Sequence, residues 1–183
     1  DTLRQAVQSA LDQPGVDVRV KVIAAKPGVV PSDDAALRDA RVEWIASDRP
    51  LDRSGAANRA LAAIDAPMAL FLDDDDWLLP GHLQRLAQAL ADRPEAVAAH
   101  AGVECRRVAD SATSATSATS ADSADSADST HGGVAPAEVF DEAVDAVEMQ
   151  WRNQVPIHAV MFRAGAVASS PALHFDEGLS HFE

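Results

Sequence analysis

The sequence predicts an α/β domain with a largely parallel sheet, on three observations. Short apolar runs at Val18–Ala24, Arg41–Ile45 and Met68–Leu72 alternate with stretches whose apolar residues recur at helical spacing. Pro and Gly punctuate the joins, as at Pro14-Gly15 and Pro27-Gly28. The third run stops abruptly in four carboxylates, Asp73, Asp74, Asp75 and Asp76, where a strand would leave the sheet. That carboxyl edge is where open α/β sheets bind their ligands.

Leu3, Ala6, Val7, Ala10 and Leu11 follow the i, i+3, i+4, i+7, i+8 spacing of an amphipathic helix, which Pro14-Gly15 ends. Val18, Val20 and Val22 share one face of the first strand. Lys26–Asp34 is a loop, Asp33–Asp39 a short helix, and Arg41–Ile45 the second strand. Ser54 is placed to cap a helix running through Asn58, Leu61 and Ile64. Met68–Leu72 is continuously apolar, which suits a strand covered on both faces. Pro80 fits the first turn of the next helix, where its missing N–H costs nothing. Leu83, Leu86, Ala87 and Leu90 are that helix's apolar stripe, and Arg93-Pro94 stops it. Ala96–Val103 reads as a strand, Ala137–Trp151 as a helix and Ile157–Phe162 as a last strand.

Ser111–Asp128 is six triplets, SAT three times and then SAD three times. With nothing apolar beyond Ala, it cannot bury enough surface to offset its ordering entropy, and it reads as a disordered insertion. The expected organisation is therefore residues 1–110 as one half of a domain, 111–130 as the insertion, and 131–183 as the remainder of the same domain.

A chain of 183 residues is long enough for one sizeable core. Its net charge of −14 argues against nucleic acid or an anionic membrane surface as partner. The single Cys105 excludes an internal disulfide and fits a reducing compartment. No apolar run approaches membrane-spanning length.

Four adjacent Asp side chains repel one another, and either solvent or a hard divalent cation must offset them. A solvated acidic turn capping the next helix is the plain alternative. A calcium loop is excluded, because the Gly at its sixth position and the Glu at its twelfth are missing.

Four stretches resemble a known family: Leu3–Gln13 (LRQAVQSALDQ), Ser54–Leu61 (SGAANRAL), Phe71–Leu86 (FLDDDDWLLPGHLQRL) and Asn153–Glu183 (NQVPIHAVMFRAGAV…FDEGLSHFE). Together they resemble the nucleotide-diphospho-sugar domain of the family-2 inverting glycosyltransferases. The third is an Asp-x-Asp motif with its following helix. The fourth is an acceptor-side segment leading to a Glu-Asp pair. The resemblance implies the GT-A fold, a Rossmann-like mixed and mainly parallel sheet flanked by helices.

It also implies a chemistry. A nucleotide-diphospho-sugar donor would bind with manganese or magnesium across its diphosphate, and a sugar would pass with inversion to a saccharide or lipid-linked acceptor. By this resemblance Asp73 and Asp74 serve the nucleotide side together with Asn58 and Arg59. Asp75 is the main metal ligand and Asp76 supports it. Glu183, first member of the Glu-Asp pair, is the catalytic base. Polysaccharide biosynthesis in the cytoplasm is the implied setting, with the inner face of the membrane as an alternative.

The chain departs from the family at three places. The strand ending near Ile23 runs into Ala24, Ala25, Lys26 and Pro27 where the family carries Asp-Asp-Gly-Ser. Ala57 stands where an Arg precedes the Asn-Arg pair. The family's first strand is not present before Asp1, so the chain reads as a fragment or a diverged member. The two strands that flank that position should then either be separated by a gap or pair directly.

Two readings from other classes stand beside this one. A catalytically inactive GT-A-like binding module fits the departures. A haloacid-dehalogenase-like phosphatase also places Asp-x-Asp after an apolar strand, but Trp77 and Leu78 follow where Thr or Val is wanted. The six histidines lack ligand spacing, so each, His158 included, reads as structural or solvated. Trp77 reads as core packing and Arg163 as surface.

Overall fold

The computed structural model describes residues 2–29, 33–105, 138–140, 144–145, 147–150, 154–168 and 173–178. The triplet insertion at 111–128 and Glu183 lie outside them. The chain divides into two compact units, residues 1–101 with 144–183, and residues 102–143.

The first unit opens with α1 (Thr2–Leu11), which buries Ala6, Val7, Ala10 and Leu11 as its spacing requires. β1 (Val20–Ala24) pairs in parallel with β2 (Val42–Ala46), Val22 opposite Trp44. The connection between them turns rather than forming the short helix expected over 33–39. Asp34 accepts from the Ala36 N–H there, and a local side-chain bond of this kind competes with helix formation. The Trp44 indole donates to the Leu37 carbonyl, tying the connection to the sheet.

Helix α2 (Arg53–Ala62) is capped by Asp52 and not by Ser54. The Asp52 carboxylate accepts from the Gly55 N–H at 2.7 Å, satisfying one of the orphan donors of the first turn. β3 (Met68–Leu70) is shorter than its apolar run, for Phe71 and Leu72 leave the ladder. Helix α3 (His82–Asp92) starts two residues past Pro80. Gly81 takes its N-cap with φ of 76°, a left-handed conformation open to glycine.

β4 (Ala98–His100) and β7 (Val160–Arg163) complete the second sheet, in the order β3-β7-β4. β7 runs antiparallel to both neighbours, so β3 and β4 point the same way. A 3-10 turn at Ile157–Ala159 after Pro156 delays this last strand relative to expectation. The short helix α4 (Ala164–Ala168) follows β7. Arg163, expected at the surface, donates to the carbonyls of Leu90 and Ala96 and so binds β7 to the end of α3.

No ladder joins β1 to β3 among the described residues. The gap, and not direct pairing, is therefore the outcome. Apolar packing spans it. Ala10 of α1 lies in a cluster with Leu78, Leu83, Leu86, Leu90 and Met161, while Val7 and Leu11 of the same helix pack on Leu37, Val22 and Trp44. Val20 touches both groups.

The second unit contains an antiparallel pair, β5 (Val103–Cys105) and β6 (Glu138–Phe140). The single strand expected over 96–103 is thus two, broken at Ala101-Gly102. The helix expected over 137–151 is corrected as well. Val139 pairs with Glu104 in the hairpin, and Glu148–Gln150 in the first unit is a 3-10 turn started by the Asp145 carboxylate, which accepts from the N–H groups of Val147 and Glu148. No helix of the described residues is long and apolar enough to cross a membrane.

Candidate functional site

β3 delivers the acidic run to the edge of its sheet. The chain turns at once, with the Asp76 N–H donating to the Asp73 carbonyl at 3.3 Å. Asp74 and Asp75 are exposed on the turn, while Asp73 and Asp76 are half-buried. The exit is held by polar side chains of the first helical segment. The Leu78 N–H donates to Ser9 Oγ at 3.0 Å and the Leu83 N–H to Gln13 Oε1 at 3.1 Å. Gln13 Nε2 donates to the carbonyls of Ser9 and Leu79. Gln13 is a buried polar side chain with its partners in place, as burial demands.

His158 meets this turn from the other side. In the β3–β7 register Leu70 stands opposite Met161. Carried three residues outward, that antiparallel register sets Asp73 against His158. The imidazole Nδ1 lies 3.0 Å from Asp76 Oδ2. One ligand atom from each of Asp73, Asp76 and His158 falls within 4.8 Å of the others. Burial raises the Asp76 carboxyl above the ordinary carboxylate range; His158 opposes this, and the charges of Asp75 and Asp73 reinforce it. Burial likewise lowers nearby His82, helped by Arg85 and His158, and its Nε2 is buried without a hydrogen-bond partner.

This donor set fits a divalent cation. Two carboxylates and an imidazole converge, and the negative charge exceeds what one imidazole offsets. Asp75 and Asp74 stand outside the group of three. His158 is the member that spacing could not disclose. The signals for it in the chain were its place in the Ile157–Phe162 run and in the acceptor-side segment of the resemblance, and many structural histidines share such a place.

Phe71 sits between the strand and the acidic turn. Its ring centroid is 5.9 Å from that of Phe162 and 5.8 Å from that of Phe175, the latter edge-on. Trp77, expected in the core, is 38% exposed.

Asn58 and Arg59 lie on α2, away from the acidic run in sequence, beside an open cavity of about 290 Å³. Ser47, Arg49, Gly55 and Glu177 also line it. Arg59 donates to the Ala46 carbonyl at the end of β2. Asn58 bonds not to the acidic turn but to the loop at Phe175 and Glu177.

Comparison with known proteins finds a family and a relative. The family described as "Glycosyl transferase family 2" matches residues 1–116. A relative from Rhizobium meliloti (strain 1021), "Succinoglycan biosynthesis protein ExoO", is 37% identical over 89 residues. That alignment covers 48% of this chain and 26% of the relative, so the chain spans about a quarter of the relative's length. With the family matched across more than half its length, and with an acidic turn at the carboxyl end of β3, the chain belongs to glycosyl transferase family 2.

Proposed function

We propose that this domain takes part in transferring a sugar from a nucleotide-diphospho-sugar to an acceptor hydroxyl, with inversion, and that Asp73, Asp76 and His158 hold the divalent cation the donor requires. The convergence of those three side chains at the end of β3 carries the reading. A bound cation of this kind neutralises charge developing on the leaving diphosphate. An imidazole beside two carboxylates suits manganese better than calcium.

The remaining roles follow the family resemblance. Asp74 lies on the exposed side of the turn, where the nucleotide would approach, and so does Asp75, to which the resemblance gives the main metal contact and this reading gives the diphosphate. Arg59 supplies positive charge to the cavity beside α2. Glu183 is the base that takes the acceptor's proton as it attacks, provided its pKa suits the working pH. Residues 1–110 form the donor half and 131–183 the acceptor side. The relative is named for succinoglycan biosynthesis, which supports polysaccharide assembly as the process this domain serves, with the cytoplasm as its compartment.

A binding module without turnover is the second reading. It is favoured by Ala24, the last residue of β1, and Ala25 after it, which stand where a carboxylate pair would hold the nucleotide. The deciding experiment titrates the full-length protein with manganese and a panel of nucleoside diphosphates and of their sugar conjugates. Binding to N alone raises stability by mass action, so a metal-dependent rise in melting temperature is expected with at least one nucleotide. Sugar release from the matching conjugate supports the transferase, and binding with no turnover supports the module. No metal-dependent shift with any nucleotide overturns both.

A further inference from the structure

Both N–H donors of the Asn58 side chain are already in use. Nδ2 donates to the Phe175 carbonyl at 2.9 Å and to Glu177 Oε1 at 3.0 Å. Oδ1 accepts from the Phe175 N–H at 2.8 Å. An amide has two donors and one acceptor oxygen, so it keeps no donor for a nucleotide or a sugar. The pairing with both backbone groups of one residue imitates a strand edge, and it holds a loop that is otherwise exposed.

The loop touches the site at two places. Phe175 stands edge-on against Phe71, two residues before Asp73. Glu177 lines the cavity alongside Arg49 and Arg59. An Asp176 carboxylate accepting from the Gly178 N–H stiffens the turn between them.

We infer that Asn58 is a positioning residue: it holds the 173–178 loop on α2 and so fixes the Glu177 carboxylate at the cavity wall, without itself contacting the nucleotide. The inference rests on the transferase reading only for what occupies the cavity.

The test uses Asn58→Asp in the full-length protein. The carboxylate can still accept from Phe175 but faces the Phe175 carbonyl and Glu177 with no hydrogen to donate. Amide exchange of the peptide carrying Phe175 should quicken by about tenfold or more, the size of effect expected when a hydrogen bond of about 1.4 kcal/mol is lost. Adding Glu177→Gln restores a donor and should recover most of the protection. Exchange over β3 and the affinity for manganese should stay within about twofold, since none of those contacts changes. Unchanged exchange at Phe175 in the single variant, or no recovery in the double, overturns the inference. Loss of UDP affinity with the loop still protected also overturns it and makes Asn58 a donor contact. If wild type binds no UDP under any condition, the transferase reading fails while the exchange comparison still decides the role of Asn58. Should Asn58→Asp fail to fold, Asn58→Ser shortens the same side chain and carries the same expectation.

Discussion

His158 Nδ1 lies 3.0 Å from Asp76 Oδ2, although the two residues are far apart in the chain. The contact exists because β7 runs antiparallel to β3, which brings the residues before one strand to the residues after the other. An imidazole at this distance can share the carboxylate's burden of charge or join it as a metal ligand.

The ligand set makes the first prediction. Asp76→Ala and His158→Ala should each weaken manganese binding by more than the roughly 10–100-fold that loss of a supporting group costs. Asp74→Ala should change it little, since that side chain is exposed on the turn. Calorimetric titration with manganese measures all three. Equal loss at Asp74 and Asp76 would show that the bulk charge of the run, and not the convergent geometry, attracts the ion.

A second prediction concerns the core. Leu90 is fully buried, at 0% exposure, in the cluster that α3 shares with α1 and β7. Leu90→Ala removes its contacts and leaves a cavity, at a cost of about 2–5 kcal/mol. Urea denaturation should show a lower midpoint. A loss under about 1 kcal/mol would mean that the surrounding helices collapse into the space.

Gln13 gives a third. It bridges the end of the first helical segment to Leu79 and Leu83, past the acidic turn. Gln13→Leu keeps the volume but takes the acceptor from the buried Leu83 N–H and a donor from the Ser9 and Leu79 carbonyls, the latter still accepting from the His82 N–H; the unpaired N–H alone costs about 1–3 kcal/mol. Stability should fall by that order, and manganese affinity should fall with it, because the turn loses its anchor. Unaltered metal affinity in a destabilised variant would show that the turn holds its shape by itself.

The fourth concerns pH. Hydrogen bonds from the Arg41 guanidinium, and then from its backbone N–H, hold the Asp39 carboxyl down to about 2. A carboxyl depressed in the folded state stabilises above its unfolded pKa, and that contribution is lost as pH falls through the folded value. Asp39→Asn keeps an acceptor for the Arg41 N–H but drops the charge. Wild type should therefore melt slightly higher than the variant near neutral pH, with the difference shrinking below pH 4 and vanishing near pH 2. The effect should be small, because the pair is open to solvent. A difference that stays constant with pH would assign it to packing instead.

The acidic turn was legible in the chain because its causes are local. An apolar run of five residues ends in four carboxylates, and both halves of that statement are neighbours in sequence. The same holds for α1 and α3, whose apolar stripes at helical spacing became their buried faces. Family membership was legible too, since its motifs are short and ordered along the chain.

Tertiary structure decided what depends on partners far away. Val139 sits in a strand because Glu104 pairs with it, although its own neighbourhood has a helical rhythm. His158 is a site residue because the β3–β7 register aims it at Asp73 and Asp76. Asn58 faces the Phe175 loop because α2 and that loop are brought together by packing. Helical periodicity and capping are written within a few residues, so propensity and spacing reveal them. Strand register and side-chain convergence are set by which distant segments bury each other's surface, and that choice is made only when the whole core closes.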